Sequence, residues 1–178
     1  MTSKIILAGF GGQGILFLGK KLAGAGMDKG LNVTWLPSYG PEQRGGTCNC
    51  SVILSDTDIS SPIIGAPDIL TAFNIQSYEK FMPRITSGGV LFADSTLIDK
   101  KPERTDISSF YIPATGIANE LGMPKLVNVV MLGFMIRNTD LFEKDFIRSV
   151  LTDSLPASKA ALREANGRAF DAGFGYGA

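Results

Sequence analysis

Two clusters of residues in this chain have the types and spacing for chemistry. Gly9, Gly11 and Gly14 fit G-x-G-x-x-G within the run Gly9-Phe10-Gly11-Gly12-Gln13-Gly14. Farther on, Pro37-Ser38-Tyr39-Gly40-Pro41-Glu42-Gln43-Arg44-Gly45-Gly46 sets an aromatic ring, an acid and a base among glycines and prolines. A glycine run between a strand and a helix permits a tight turn and leaves helix N–H groups free for a phosphate. Gly9, Gly11, Gly12, Gln13 and Gly14 are therefore the candidate phosphate-binding residues. The competing reading is that the glycines only pack strand against helix. The second cluster is expected to be an ordered loop, because its proline and glycine density excludes a helix or a central strand. Arg44 can make a forked contact to a carboxylate or phosphate. Glu42 can pair with it or with a neighbouring subunit, and Tyr39 can pack over an interface. Alternatively, the three hold the loop together.

The elements needed to position these groups are legible from periodicity. Lys4 to Ala8 is a nearly continuous apolar run, as in a strand covered on both faces. Ile15, Leu18, Leu22 and Ala25 are spaced for a helix that ends near Gly30, and Val33 to Leu36 reads as a second strand. Together they predict a βαβ unit. Strands are expected again at 47–54, 68–73, 90–94 and 110–112, with a short helix at 77–81. Helices follow at 117–121, 127–137, 143–154 and 158–170. Residues 173–177 lack a period and read as a loose tail or one held by a partner. The expected fold is a single Rossmann-like α/β domain over residues 1–178, with a mostly parallel sheet flanked by helices and a helical C-terminal part.

That fold raises a dinucleotide reading, which then fails a specific test. A ribose-binding acid belongs at the end of the second strand, and Leu36-Pro37-Ser38 stands there instead. Arg44 lies too deep in the following loop to replace it by meeting a 2′-phosphate. A free-standing NAD(P)-binding oxidoreductase is thus the alternative and not the leading reading.

Composition narrows the rest. Seventeen basic and seventeen acidic residues cancel, so no net field favours nucleic acid or an anionic membrane. The richest apolar run, Val127 to Ile136, is about half the roughly 20 residues needed to span a bilayer. Met1-Thr2-Ser3-Lys4 runs straight into a strand without the regions of a signal peptide, which predicts a cytoplasmic protein. The absence of histidine removes Ser-His and Cys-His nucleophilic pairs. Two cysteines, Cys48 and Cys50, fall short of the four thiolates of an iron–sulfur site, and are expected as small buried hydrophobes on one strand face. No catalytic or metal-ligating residue is assigned.

The runs GFGGQG and PSYGPEQRGG together resemble the gamma subunit of the 2-oxoacid:ferredoxin oxidoreductases. The likeness extends to Ser61-Pro62, Pro67-Asp68, Gly88-Gly89-Val90-Leu91, Pro113 to Ala118, Glu120-Leu121-Gly122, Asn128 and Met131-Leu132-Gly133. It implies a non-catalytic or site-completing subunit of a complex used in anaerobic metabolism. Such a complex converts a 2-oxoacid and coenzyme A to acyl-CoA and CO2, passing electrons to ferredoxin or flavodoxin. The resemblance further implies thiamine diphosphate with Mg2+, and iron–sulfur clusters, on alpha-, beta- and possibly delta-type partner subunits, with no cofactor bound by this chain alone. Coenzyme A is the expected small-molecule contact of the glycine loop, and Tyr39, Glu42 and Arg44 of an interface or shared site. The likeness is strongest to the 2-oxoglutarate enzymes, with pyruvate, branched-chain 2-oxoacid and indolepyruvate enzymes as competitors. An isolated chain is expected to be able to form a homodimer through the surface meant for its partners.

Overall fold

The computed structural model describes residues 1–39, 47–153 and 155–177. Six strands, β1 (Thr2–Phe10), β2 (Asn32–Tyr39), β3 (Thr47–Ser55), β4 (Ile69–Ala72), β5 (Val90–Asp94) and β6 (Ser108–Ile112), form one sheet in the order β2-β3-β1-β4-β5-β6. The helices are α1 (Ile15–Asp28), α2 (Ile75–Phe81), α3 (Ala114–Glu120), α4 (Val127–Arg137), α5 (Lys144–Thr152) and α6 (Ala160–Gly175). The strands β1, β4, β5 and β6 are parallel to one another, whereas β3 runs antiparallel between β1 and β2. The expected α/β fold with its mostly parallel sheet is present.

Three details differ from the sequence reading. First, β1, α1 and β2 are connected as expected, but β3 separates the two strands, so they are not neighbours. Second, Pro37, Ser38 and Tyr39 belong to β2, not to a loop. A proline is tolerated there because β2 is an edge strand, where a missing N–H on the open side breaks no ladder bond. Third, the glycine-rich tail is not loose. Helix α6 continues to Gly175, and the Tyr176 ring meets Phe134 edge-on at 5.8 Å between centroids.

Two apolar layers flank the sheet. Ile5, Leu7, Cys50, Val52 and Leu54 face α1 and join the larger layer that includes α4, whereas Ile6, Ala8, Leu70, Leu91 and Tyr78 pack on the other side. Every residue of α4 from Val127 to Ile136 is buried, because the helix lies between sheet and α6 and has little outer face. Phe134 is edge-on to both Phe92 and Phe110, at 5.9 and 6.4 Å, and Phe92 stacks on Phe110 at 5.5 Å. Two glycines set the approach of α4 to α6. A Cβ on Gly173 would stand 2.7 Å from the Val130 carbonyl carbon, and one on Gly133 would stand 2.8 Å from the Phe174 nitrogen. Neither helix could sit where it does with an alanine at the crossing.

Candidate functional site

Strand β1 delivers the glycine run to the carboxyl edge of the parallel strands, where α/β sheets place their ligands. A turn closes it: Phe10 O accepts from Gln13 N at 3.2 Å. Gly12 (φ 100) and Gly14 (φ 75) then take left-handed conformations that favour glycine. Helix α1 begins at Ile15, with no side-chain cap and no acid in its first turn. Its leading N–H groups therefore offer a partial positive charge to an anion. Gly12 is exposed and a Cβ there would meet nothing within 4 Å, so the outer turn leaves open space.

The remaining residues of the run are bound up in the protein. The Gln13 amide accepts from Phe10 N at 2.6 Å and donates to Phe73 O at 3.2 Å, stitching the turn to the end of β4. A Cβ on Gly9 would lie 2.6 Å from Gln13 Oε1 and 3.0 Å from Phe73 Cβ, so close packing alone requires that glycine. On Gly14 it would lie 2.7 Å from Asn128 Cγ. Asn128 reaches in from α4 and donates from Nδ2 to Gly14 O at 3.2 Å. Packing accounts for Gly9 and Gly14, and the outer turn at Gly12 with the α1 terminus is left open.

The neighbouring strand ends add groups that sequence reasoning passed over. Asn74, after β4, caps α2 by accepting from Ser77 N at 2.8 Å. Asp94 ends β5 fully buried. It accepts from Thr96 N at 3.1 Å and from Thr115 N and Oγ1 at 3.2 and 2.5 Å. Thr96 Oγ1 accepts from Gly116 N at 3.1 Å. The carboxylate thus ties β5 to the start of α3. The Asp94-Ser95-Thr96 triplet at a strand end was the available signal for it. Asn128 and Asn74 are each 3% exposed, and Asn128 Oδ1 and Asn74 Nδ2 have no hydrogen-bond partner among the described residues.

Of the second cluster, Tyr39 ends β2 opposite Cys48, whereas Glu42 and Arg44 lie outside the described residues. The end of β2 lies two strand spacings from β1, ~10 Å, because β3 intervenes. It therefore lacks both the acid and the position that a dinucleotide ribose needs. Cys48 and Cys50 are free, buried and on the α1 face, as expected. Desolvation pushes the Cys50 thiol up to about 12, the state of an inert core cysteine. Among the described residues, no three His, Cys, Asp or Glu side chains are grouped to hold a metal, and no helix is long and apolar enough to cross a membrane.

Residues 4–176 match the pyruvate ferredoxin/flavodoxin oxidoreductase family. The chain is 38% identical to the 2-oxoglutarate synthase subunit KorC of Methanocaldococcus jannaschii, covering 98% of this chain and 93% of that one. The keto/oxoacid ferredoxin oxidoreductase gamma subunit of Geobacter sulfurreducens superposes with a TM-score of 0.83 at 28% identity, over 98% of this chain and 95% of that one. The 2-oxoglutarate:ferredoxin oxidoreductase of Magnetococcus marinus, solved with 2-oxoglutarate, coenzyme A and succinyl-CoA bound, superposes with a TM-score of 0.87 at 26% identity. There the match covers 97% of this chain but 30% of that one. The chain likewise spans about a third of the ketoisovalerate oxidoreductase subunit VorA of two Methanothermobacter species, 28% and 35% of their lengths.

Proposed function

Because the chain belongs to the pyruvate ferredoxin/flavodoxin oxidoreductase family, we propose that it is the gamma subunit of a 2-oxoacid:ferredoxin (or flavodoxin) oxidoreductase. In this reading the complex acts on 2-oxoglutarate and yields succinyl-CoA, CO2 and reduced carrier. The observation that carries the substrate is length, because the ketoisovalerate relatives are equally similar at 36–39% identity. Relatives named as 2-oxoglutarate synthase subunits match this chain nearly end to end, at 33–38% identity over 93–95% of their length in three archaea. The ketoisovalerate relatives hold the same unit inside a chain about three times as long. Indolepyruvate relatives fall to 26–27% identity.

The described residues of this chain carry no grouped metal ligands and its cysteines are buried in the core. In this reading thiamine diphosphate with Mg2+ and the iron–sulfur clusters reside on alpha-, beta- and delta-type partners. The part left to this chain is to complete the site. The uncapped N-terminus of α1 and the open turn at Gly12 suit a phosphate of coenzyme A. Gln13 and Asn128 hold that turn in shape, and Tyr39, Glu42 and Arg44 are assigned to an interface or shared site with a partner. The chain is placed in the cytoplasm with its electron carrier.

The test is to tag the chain in its host, purify it gently without oxygen, and identify what accompanies it. The eluate is assayed for coenzyme A-dependent dye reduction with 2-oxoglutarate, pyruvate and branched-chain 2-oxoacids. Thiamine-enzyme subunits and activity on 2-oxoglutarate are expected. A chain recovered alone and inactive refutes the reading, and activity on another 2-oxoacid alone replaces the substrate.

A further inference from the structure

An α/β sheet of this kind normally has helices on both faces, and here, among the described residues, half of one face lacks them. Helix α1 packs on β2 and β3 from one side. Val33, Trp35, Cys50 and Leu54 turn toward it: a Cβ on Gly19 would stand 3.0 Å from Trp35 Nε1, and one on Gly26 would stand 2.9 Å from Val33 Cγ2. Strand alternation puts Leu36 and Ser38, Asn49 and Ser51, and Phe10 on the opposite face of the same three strands. Helix α2, on that side, packs on β1 and β4 instead. Ile59 and Ile64 of the segment between β3 and β4 join Ile6 and Ile53 at the far end. The near end, beside the glycine turn, is left with Leu36 and Ser38 exposed and Phe10, Asn49 and Ser51 half-buried.

Two properties separate this patch from ordinary solvent-facing sheet. It is uncharged: on that face of β1, β2 and β3 the one charged side chain is Lys4, at the opposite end of β1. A solvated face would carry charges of both signs, whereas the centre of a protein interface is depleted in them. It also runs to an edge strand with no charged residue between Asn32 and Tyr39, where Pro37 alone guards against strand pairing. A single exposed leucine means little; an uncharged face that continues into an uncharged edge is a built surface.

We infer that this face of β1, β3 and β2, with the open edge of β2, is where the chain docks on the larger subunit that corresponds to the remaining two thirds of its longer relatives. The inference rests on the oxidoreductase reading above. It commits to that occupant because the ketoisovalerate and Magnetococcus chains carry the unit covalently joined to the rest of a polypeptide about three times its length, so the two parts work side by side. The surface calls for a neutral partner patch with an apolar notch for Leu36 and amide or hydroxyl groups for Asn49, Ser51 and Ser38. Three strands at ~4.8 Å spacing and about four residues along each give roughly 200 Å². A stable interface needs about 800 Å² per partner, so the patch is the core of a larger contact. The glycine turn then lies at the margin of the interface, where a ligand shared between subunits would sit.

The alternative surface supplies the control. A groove of about 620 Å³ between α1 and α5 is lined by Phe17, Lys20, Asp28, Phe146 and Asp153 among others. It carries charges of both signs, and Phe17 is 43% exposed against 42% for Leu36. Tagged wild type, Leu36→Glu, Ser51→Arg and Phe17→Glu are co-expressed with the partner subunits, and assembly is measured by native mass spectrometry. Hydrogen exchange of the wild-type chain is compared free and in complex, and circular dichroism of each free variant checks its fold. Leu36→Glu and Ser51→Arg are expected to weaken assembly at least tenfold, Phe17→Glu to leave it unchanged, and amides of β2 and β3 to gain protection in the complex. Assembly by both sheet variants as in wild type, or protection confined to α1 and α5, overturns this surface and leaves the oxidoreductase reading standing. A β2 edge protected in the free chain by stable self-association that partners do not displace overturns the choice of occupant. Wild type that recovers no partner refutes the oxidoreductase reading, and this proposal falls with it.

Discussion

Replacing Gly14 by alanine should damage the candidate site through two separable effects. Gly14 has φ 75, and an L-residue in that left-handed region costs about 1–2 kcal/mol. The new methyl would also stand 2.7 Å from Asn128 Cγ, well inside the ~3.5–4.0 Å of an unstrained carbon contact. The Asn128 amide must move about 1 Å, which breaks its 3.2 Å bond to Gly14 O and costs about 0.5–1.5 kcal/mol more. The total is about 1.5–3.5 kcal/mol. In an Asn128→Ala background the bond is already absent and the space is open, so the same substitution should cost only the backbone part. The difference, about 1 kcal/mol, is the coupling energy of a double-mutant cycle. Urea unfolding of the four proteins measures it. With an m value of about 2 kcal/mol per M, Gly14→Ala should lower the midpoint by about 0.75–1.75 M in wild type and by about 0.5–1 M in the Asn128→Ala background. Equal losses in both backgrounds would refute the packing of Asn128 on Gly14, and no loss in either would refute the left-handed turn itself.

Further outcomes are expected. Gln13→Leu leaves Phe10 N–H and Phe73 O without their partners and should cost about 1–3 kcal/mol; Gln13→Glu should recover part of this, read as Phe10 amide exchange. Gly173→Ala sets a methyl against the Val130 carbonyl, and overpacking of about 3 kcal/mol would lower Tm by about 6–12 °C. Gly175→Ala, with open space in the same helix, should be neutral or slightly stabilising in the same thermal scan. Cys50, fully buried with its thiol pushed up to about 12, should resist a disulfide reagent at pH 8 until the protein is unfolded, and rapid labelling of the native protein would contradict the buried strand. The forked contact from Arg104 holds the Asp106 carboxyl down to about 2. Because the folded value is depressed, its contribution is present above the ordinary carboxylate range and is lost as pH falls from about 4 toward 2. Arg104→Gln should therefore flatten that part of the stability profile measured by urea midpoints, and an unchanged acid limb would dismiss the pair.

The sequence by itself determined the elements and the location of the glycine turn. Continuous apolar runs can be satisfied only by covered strands, as at Ile5–Ala8, and an apolar circumference only by a core helix, as at Val127–Ile136. The strand-glycine-helix order placed the turn at the mouth of α1 for the same local reason. Neutral composition and the absence of histidine limited the chemistry before any fold was known. Tertiary structure decided what depends on pairing between distant segments. Nothing local in Thr47–Ser55 says that it inserts antiparallel between β1 and β2, because strand alternation fixes faces and not neighbours. That insertion moved the end of β2 away from the glycine turn and made Pro37 an edge residue. The tail read as loose or held by a partner because glycines signal freedom locally, yet Gly173 serves a close approach of two helix backbones that only the distant α4 can reveal. Asp94 and Asn128 are unremarkable letters in the chain. Their roles appear only when the ends of β5 and α3, or α4 and the glycine turn, are brought within hydrogen-bond reach by the sheet.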